Sequence, residues 1–230
     1  MSAAVKKIYW IPLEASPESM NKVIHQMGVD PSVKFNDVYG FDDELLDMVS
    51  KPVHALVFLF PITDRLESAK KEEALSSENK VSPNVWFMRQ TIGNACGTMA
   101  IFHALGNNQK TIPMDGNIAE FFKEVNGLSP EDKAKVLEQS KPMKEAHTSG
   151  AIEGPSEVPE AEAEMDLHFV TYSIVDGDLY ELDGRMPAPI NHGPATDVLR
   201  DGVRVIKKRI GQIGDNAREF VVVSLNQDQQ

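Results

Sequence analysis

Residues 87–106 read FMRQTIGNACGTMAIFHALG and contain Cys96, the one cysteine among 230 residues. Free cysteine usually packs as a small hydrophobe. Its place on this chain argues for something else. Gly93-Asn94 is a turn pair, and an apolar helical run spans 95–105, so Cys96 falls in the first turn of a helix. Unpaired N–H groups and the helix dipole at that end stabilise a thiolate, and the same N–H groups can hold an oxyanion. Gly97 leaves room beside the sulfur. The stretch predicts a turn-to-helix element that presents a nucleophile.

The rest of the composition bounds the setting. With 41% hydrophobic and 25% charged residues, the chain has the makeup of a globular protein, as one large domain or two small ones, with a substantial core. No run approaches the ~18 apolar residues of a membrane span, and the opening residues lack the sustained apolar region of a signal peptide. A single cysteine cannot form an internal disulfide, which points to a reducing, intracellular setting. The net charge of −12 argues against nucleic acid and anionic membrane as partners and favours a basic one.

Working outward, residues 7–11 read as a strand. Ser16-Pro17-Glu18 starts a helix that Gly28 stops, with Met20, Val23, Ile24 and Met27 on one face. A short helix follows over 42–49. Residues 53–60, VHALVFLF, are continuously apolar and read as a central strand buried on both faces. Residues 64–84 are charged and read as a surface segment. Helices follow near 118–125 and from Ser129. Residues 148–164, TSGAIEGPSEVPEAEAE, have almost nothing to bury and read as a loop, either a domain linker or a functional loop. Residues 167–175 and 179–182 flank Asp176-Gly177, a hairpin signal. A helix over 197–210 and a strand over 220–225 close the chain. The pattern predicts an α/β or α+β fold with one main sheet.

A thiolate nucleophile needs a base, and the base needs an orienter. His103 lies about 10 Å along the same helix by the rise per residue and reads as structural. His25 falls in an amphipathic helix, His54 in the buried strand, and His147 at the edge of the loop. His168 opens the hairpin. With a two-residue turn, His168 faces Arg185 and Val170 faces Asp183. Asp183 is then the diagonal neighbour of His168, about 7–8 Å away between backbones and within side-chain reach. A carboxylate there fixes the imidazole tautomer. The amide of Gln90, six residues before Cys96, can complete an oxyanion hole. There is no P-loop, no GxGxxG and no zinc constellation. Lys207-Lys208-Arg209 reads as a helix face.

These residues describe a papain-like thiol hydrolase in the order Gln, Cys, His, Asp. Residues 90–98, QTIGNACGT, closely resemble the nucleophile motif of the ubiquitin C-terminal hydrolases. So do 166–169 (DLHF), 179–185 (LYELDGR), 189–193 (PINHG), 10–15 (WIPLEA) and 37–40 (DVYG). The likeness spans essentially the whole chain in motif order, and resembles the small single-domain members. Ala188 departs from it, where relatives often carry a bulkier aromatic.

The resemblance implies one catalytic domain over 1–230. Its fold would be papain-like α/β (α+β), with a central, mainly antiparallel sheet flanked by helices and a knotted backbone. It implies Cys96 as nucleophile, His168 as general base and acid, Asp183 as orienter and Gln90 as oxyanion donor, with 148–164 as the active-site crossover loop. It implies ubiquitin, or a related ubiquitin-like modifier, as partner, met by Leu13 and Ala15 at the hydrophobic patch and by Glu14, Glu18 and Asp37 near the basic tail. We expect no cofactor, no metal, a monomer, and a cytoplasmic setting with the nucleus open as well. The implied reaction is hydrolysis of small adducts, amides, esters or short extensions at ubiquitin's C-terminal glycine. Two alternatives stay open: a ubiquitin-sequestering protein with incidental catalysis, and a redox-sensing thiol.

Overall fold

The computed structural model describes residues 7–153, 159–214 and 219–228. Its elements run α1 (Pro17–Met27), β1 (Val33–Asp37), α2 (Asp43–Asp47), β2 (Val53–Pro61), α3 (Asp64–Leu75), α4 (Cys96–Gly106) and α5 (Gly116–Glu124). Then follow α6 (Pro130–Gln139), α7 (Lys141–Glu153), β3 (Leu167–Val175), β4 (Asp178–Leu182), β5 (Ile190–Pro194), α8 (Val198–Ile213) and β6 (Val221–Gln227). The strands form a six-stranded sheet in the order β1-β6-β2-β3-β4-β5, and every pairing is antiparallel.

The apolar run of 53–60 is the central strand that the sequence predicts. Ala55 and Val57 enter one core with α1, α4, α5, α6 and α7. Leu56, Phe58 and Phe60 enter a second core with α8. Alternate side chains thus feed both layers, which is why the run shows no polar face. Helix α1 carries the expected caps: Ser16 accepts from the Ser19 N–H, and Gly28 closes the helix at φ 109°.

The hairpin forms in the expected register, Val175 opposite Asp178 and Thr171 opposite Leu182. Asp176 and Gly177 both take positive φ, as a two-residue turn requires. The ladder stops at Leu182, however, and His168 pairs with Phe60 of β2 rather than facing Arg185. Asp183 leaves the strand and its carboxylate accepts the Arg185 N–H at 2.9 Å. The backbone then turns, Met186 N–H to Asp183 O at 2.9 Å, and the Gln90 N–H reaches the Gly184 carbonyl at 2.8 Å. A Cβ on Gly184 would lie 2.9 Å from that of Gln90, so this turn needs glycine for close approach.

Three further expectations change. Residues 7–11 are not a strand: their backbone is spent on the turn before Cys96, Trp10 N–H to Gly93 O at 3.0 Å and Gly93 N–H to Ile8 O at 2.8 Å. Residues 64–75 are a helix with an inward face, Leu66, Lys70 and Ala74 all buried. The segment 148–164 is a loop only in part. Helix α7 continues to Glu153, because its small residues let it lie directly on α1. Residues 154–158 fall outside the described residues, and 159–164 are non-helical.

Gly150 sets that α1–α7 approach. A Cβ there would lie 2.3 Å from Val23 Cγ2 and 2.7 Å from the Ser19 carbonyl oxygen. Overpacking of this kind costs about 1–3 kcal/mol, more than the ~1 kcal/mol that alanine gains over glycine within a helix. Gly150→Ala should therefore lower the urea midpoint; an equal or higher midpoint would contradict this packing.

Candidate active site

Cys96 is the first residue of α4. Its N-cap, Ala95, has no side chain to satisfy the first-turn N–H groups, so these stay available to the sulfur and to an incoming anion. Asn94 precedes it at φ 57°. Gly97 packs closely beside Cys96: a Cβ there would lie 3.0 Å from Leu13 Cβ and 3.3 Å from Phe169 Cε2. Cys96 is half-buried. The His168 imidazole and the Phe169 and Gly97 N–H groups act on its sulfur and favour the thiolate.

His168 is buried, and its Nε2 lies 2.7 Å from Asp183 Oδ1. Nδ1 is therefore the ring nitrogen left for Cys96. The diagonal neighbour argument placed Asp183 within reach, and the turn after β4 brings it into contact. Burial pushes the imidazole pKa down, but the Asp183 charge and hydrogen bond, with Cys96 adding to them, outweigh it and raise the value to about 9. Burial alone would push the Cys96 thiol up. The His168 hydrogen bond and charge, then the two N–H donors, bring it below its ordinary value. His168 thus favours its imidazolium form, and the pairing shifts Cys96 toward thiolate. Burial also opposes ionisation of Asp183, and the charges of His168 and Lys70 hold it well below the usual carboxylate range.

Gln90 sits with its Nε2 donating to the Ile92 carbonyl at 3.1 Å. An amide nitrogen has two hydrogens, so one remains for an oxyanion. The Asn94 side chain donates to the carbonyls of Ala161 and Ala163 at 2.9 and 2.8 Å. It ties residues 159–164 to the turn that presents the sulfur. His103 is structural, as expected: buried, stacked on Phe87 with ring centroids 5.2 Å apart, and held by the Met88 carbonyl. Burial drives its pKa down to about 4.

Four groups near the site carried no role in the sequence reading. Lys70 is fully buried and ion-pairs Asp183 through Oδ2. Glu181, also buried, lies 3.7 Å from Lys70, 2.8 Å from Arg209 and 3.0 Å from His192. Arg209, part of the helix face read over 207–209, is buried against Glu181 and Glu73. His147 bridges Thr98, in the first turn of α4, and the Ile11 carbonyl at 2.6 and 2.7 Å. One signal was available: Leu66, Lys70 and Ala74 recur at i, i+4 and i+8, which puts Lys70 on an apolar stripe.

Of the residues expected to meet a partner, Glu18 is exposed, while Glu14, Ala15 and Asp37 are half-buried. Leu13 is 5% exposed and packs against Gly97, because an apolar side chain gains more from the α4 core than from water.

The family model for ubiquitin carboxyl-terminal hydrolases, family 1, matches residues 10–211. The chain belongs to that family. It is 45% identical over 208 residues to ubiquitin carboxyl-terminal hydrolase 3 of Arabidopsis thaliana, covering 87% of each chain. It is 41% identical over 202 residues to the isozyme L1 of Homo sapiens, covering 86% of this chain and 89% of that one. Its fold is similar to that of the Trichinella spiralis UCH37 catalytic domain, solved bound to ubiquitin vinyl methyl ester. The TM-score is 0.78 at 24% identity, over 95% of this chain and 96% of that one. The papain-like sheet and flanking helices are thus the fold of this hydrolase family. Among the described residues, no group of three or more His, Cys, Asp and Glu side chains could hold a metal ion, and no helix is long and apolar enough to cross a membrane.

Because Cys96 is the only thiol, its titration can be read without background. Iodoacetamide should alkylate it at pH values where a free thiol is still protonated. In His168→Asn the imidazolium is gone and burial dominates, so the alkylation midpoint should rise. A midpoint unchanged by that substitution would contradict the ion pair.

Proposed function

We propose that this protein hydrolyses small adducts, amides, esters and short extensions from the C-terminal glycine of ubiquitin, through a thioester on Cys96. The observation that carries the proposal is His168, hydrogen-bonded to Asp183 at 2.7 Å and lowering the pKa of the Cys96 thiol, in a chain of this family.

In this reading the Cys96 thiolate attacks the glycine carbonyl carbon. Its oxygen takes up the negative charge, which is met by the free Gln90 Nε2 hydrogen and the Cys96 N–H. The His168 imidazolium gives its proton to the departing amine, alcohol or thiol, and the thioester remains. His168, now neutral, takes a proton from water as the water attacks the thioester. The thiolate leaves, and imidazolium and thiolate are restored. Asp183 holds the ring through both steps.

Ubiquitin binding is assigned to Glu14, Ala15, Glu18 and Asp37, with Leu13 packed against Gly97 of α4. Pro17 and Asp37 line one depression of about 360 Å³ with Tyr39 and Met48, beside Glu18. The Asp37 carboxylate there suits a basic tail, and a net charge of −12 speeds its approach. Residues 159–164, tethered by Asn94, belong to the crossover segment on the leaving-group side, within one catalytic domain. The single cysteine supports a cytoplasmic setting and leaves no resolving thiol for a redox relay. Between hydrolysis and sequestration, a His168–Asp183 hydrogen bond already formed without ligand favours hydrolysis.

The test is turnover of a small ubiquitin C-terminal amide. The wild type should turn over, and Cys96→Ser should lower kcat at least ~10³-fold while keeping ubiquitin affinity. Binding with negligible wild-type turnover would establish sequestration instead, and activity surviving in Cys96→Ser would remove the nucleophile.

A further inference from the structure

The triad accounts for one oxygen of Asp183. Oδ1 accepts from His168 at 2.7 Å and from the Arg185 N–H at 2.9 Å. Oδ2 is held by Lys70, whose ammonium is completely buried. A buried lysine is expensive to maintain as a cation, and burial alone would neutralise it. It stays charged because it faces carboxylates from three elements: Asp183 after β4, Glu181 on β4 at 3.7 Å, and Glu67 on α3 at 3.7 Å. The Phe60 ring of β2 lies 5.0 Å below it. The neighbours of those carboxylates complete the cluster. Arg209 of α8 and His192 of β5 bind Glu181, and Arg185 lies 3.4 Å from Glu67.

We infer that Lys70 is a positioning residue of the reaction, fixing the Asp183 carboxylate from behind and so holding the His168 ring against Cys96. The inference rests on the hydrolase reading for its kinetic consequence, but not for its electrostatic one. Two effects follow from the geometry. With both oxygens bound, Asp183 cannot rotate about its carboxylate axis, so the His168 ring has one orientation. The ammonium also offsets part of the Asp183 charge that His168 feels. Without it, the imidazolium would be held more tightly and would give up its proton less readily to the leaving group.

Lys70 does not touch the substrate, so its substitution should act on kcat more than on KM. Lys70→Met should lower kcat about 10²-fold, the scale of a misplaced catalytic group, with KM for a ubiquitin amide within about twofold. The basic limb of its kcat profile should move to higher pH, while Lys70→Arg should restore most of the rate and the profile. Glu67→Gln, at the rim of the cluster, removes one negative charge and should move the basic limb the other way. It keeps the question open to test where Lys70→Met fails to fold.

Alkylation of Cys96 reads the same field with no ubiquitin present. Its midpoint should rise in Lys70→Met and stay in place in Lys70→Arg. A wild type that does not turn over ubiquitin amide would remove the hydrolase reading while leaving this shift measurable. Unshifted alkylation and kcat profiles in Lys70→Met, a loss that Lys70→Arg does not rescue, or an unmoved basic limb in Glu67→Gln would each overturn the role of Lys70.

Discussion

A single buried carboxylate, Asp183, is shared between an imidazole and an ammonium, and the chemistry depends on that sharing. Isolated, a carboxylate this deeply buried would take a proton and cease to orient anything. Held by His168 on one oxygen and Lys70 on the other, it stays ionised and immobile. His168 is then raised to about 9, and it keeps the Cys96 thiol below its ordinary value. Removing one partner of such a pair typically costs 3–5 kcal/mol, so fold and chemistry draw on the same contacts.

The sheet exists around this cluster in a definite way. Strand β3 delivers His168 and the Phe169 N–H, and β4 delivers Glu181 and then releases Asp183 into its turn. Helix α4 brings Cys96 from the opposite layer, and Thr171 anchors that helix by donating to the Ala100 carbonyl at 2.8 Å. Residues 8–10 pair with no named strand and instead clasp the turn before Cys96 through Gly93. His147 binds that same segment to α4 and α7. The sulfur is thus set by three separate parts of the sequence.

Much of this was legible beforehand, and the reasons are local. The apolar run of β2, the Ser16–Gly28 caps of α1 and the Asp176-Gly177 turn each carry their own signal within a few residues. The Cys96 helix start and the reach from His168 to Asp183 followed from spacing and parity. What stayed hidden depends on contacts distant in sequence. Nothing near residue 183 says that the backbone turns there and that Gly184 meets Gln90. The small residues of 148–153 look like loop until α1 is laid against them. Lys70 and Arg209 lie in charged stretches, and only the folded chain brings them to Glu181 and Asp183. Likewise, only the folded chain shows Leu13 packed against Gly97.

The most direct measurement is an NMR titration of the His168 ring nitrogens in the ligand-free protein. The ring should remain imidazolium through neutral pH and lose its proton only near pH 9, above the ordinary imidazole range. In Asp183→Asn the partner charge is gone and burial should pull the midpoint below that range. A wild-type ring titrating at or below pH 6.5 would show that Asp183 does not govern His168, and would contradict the account at its centre.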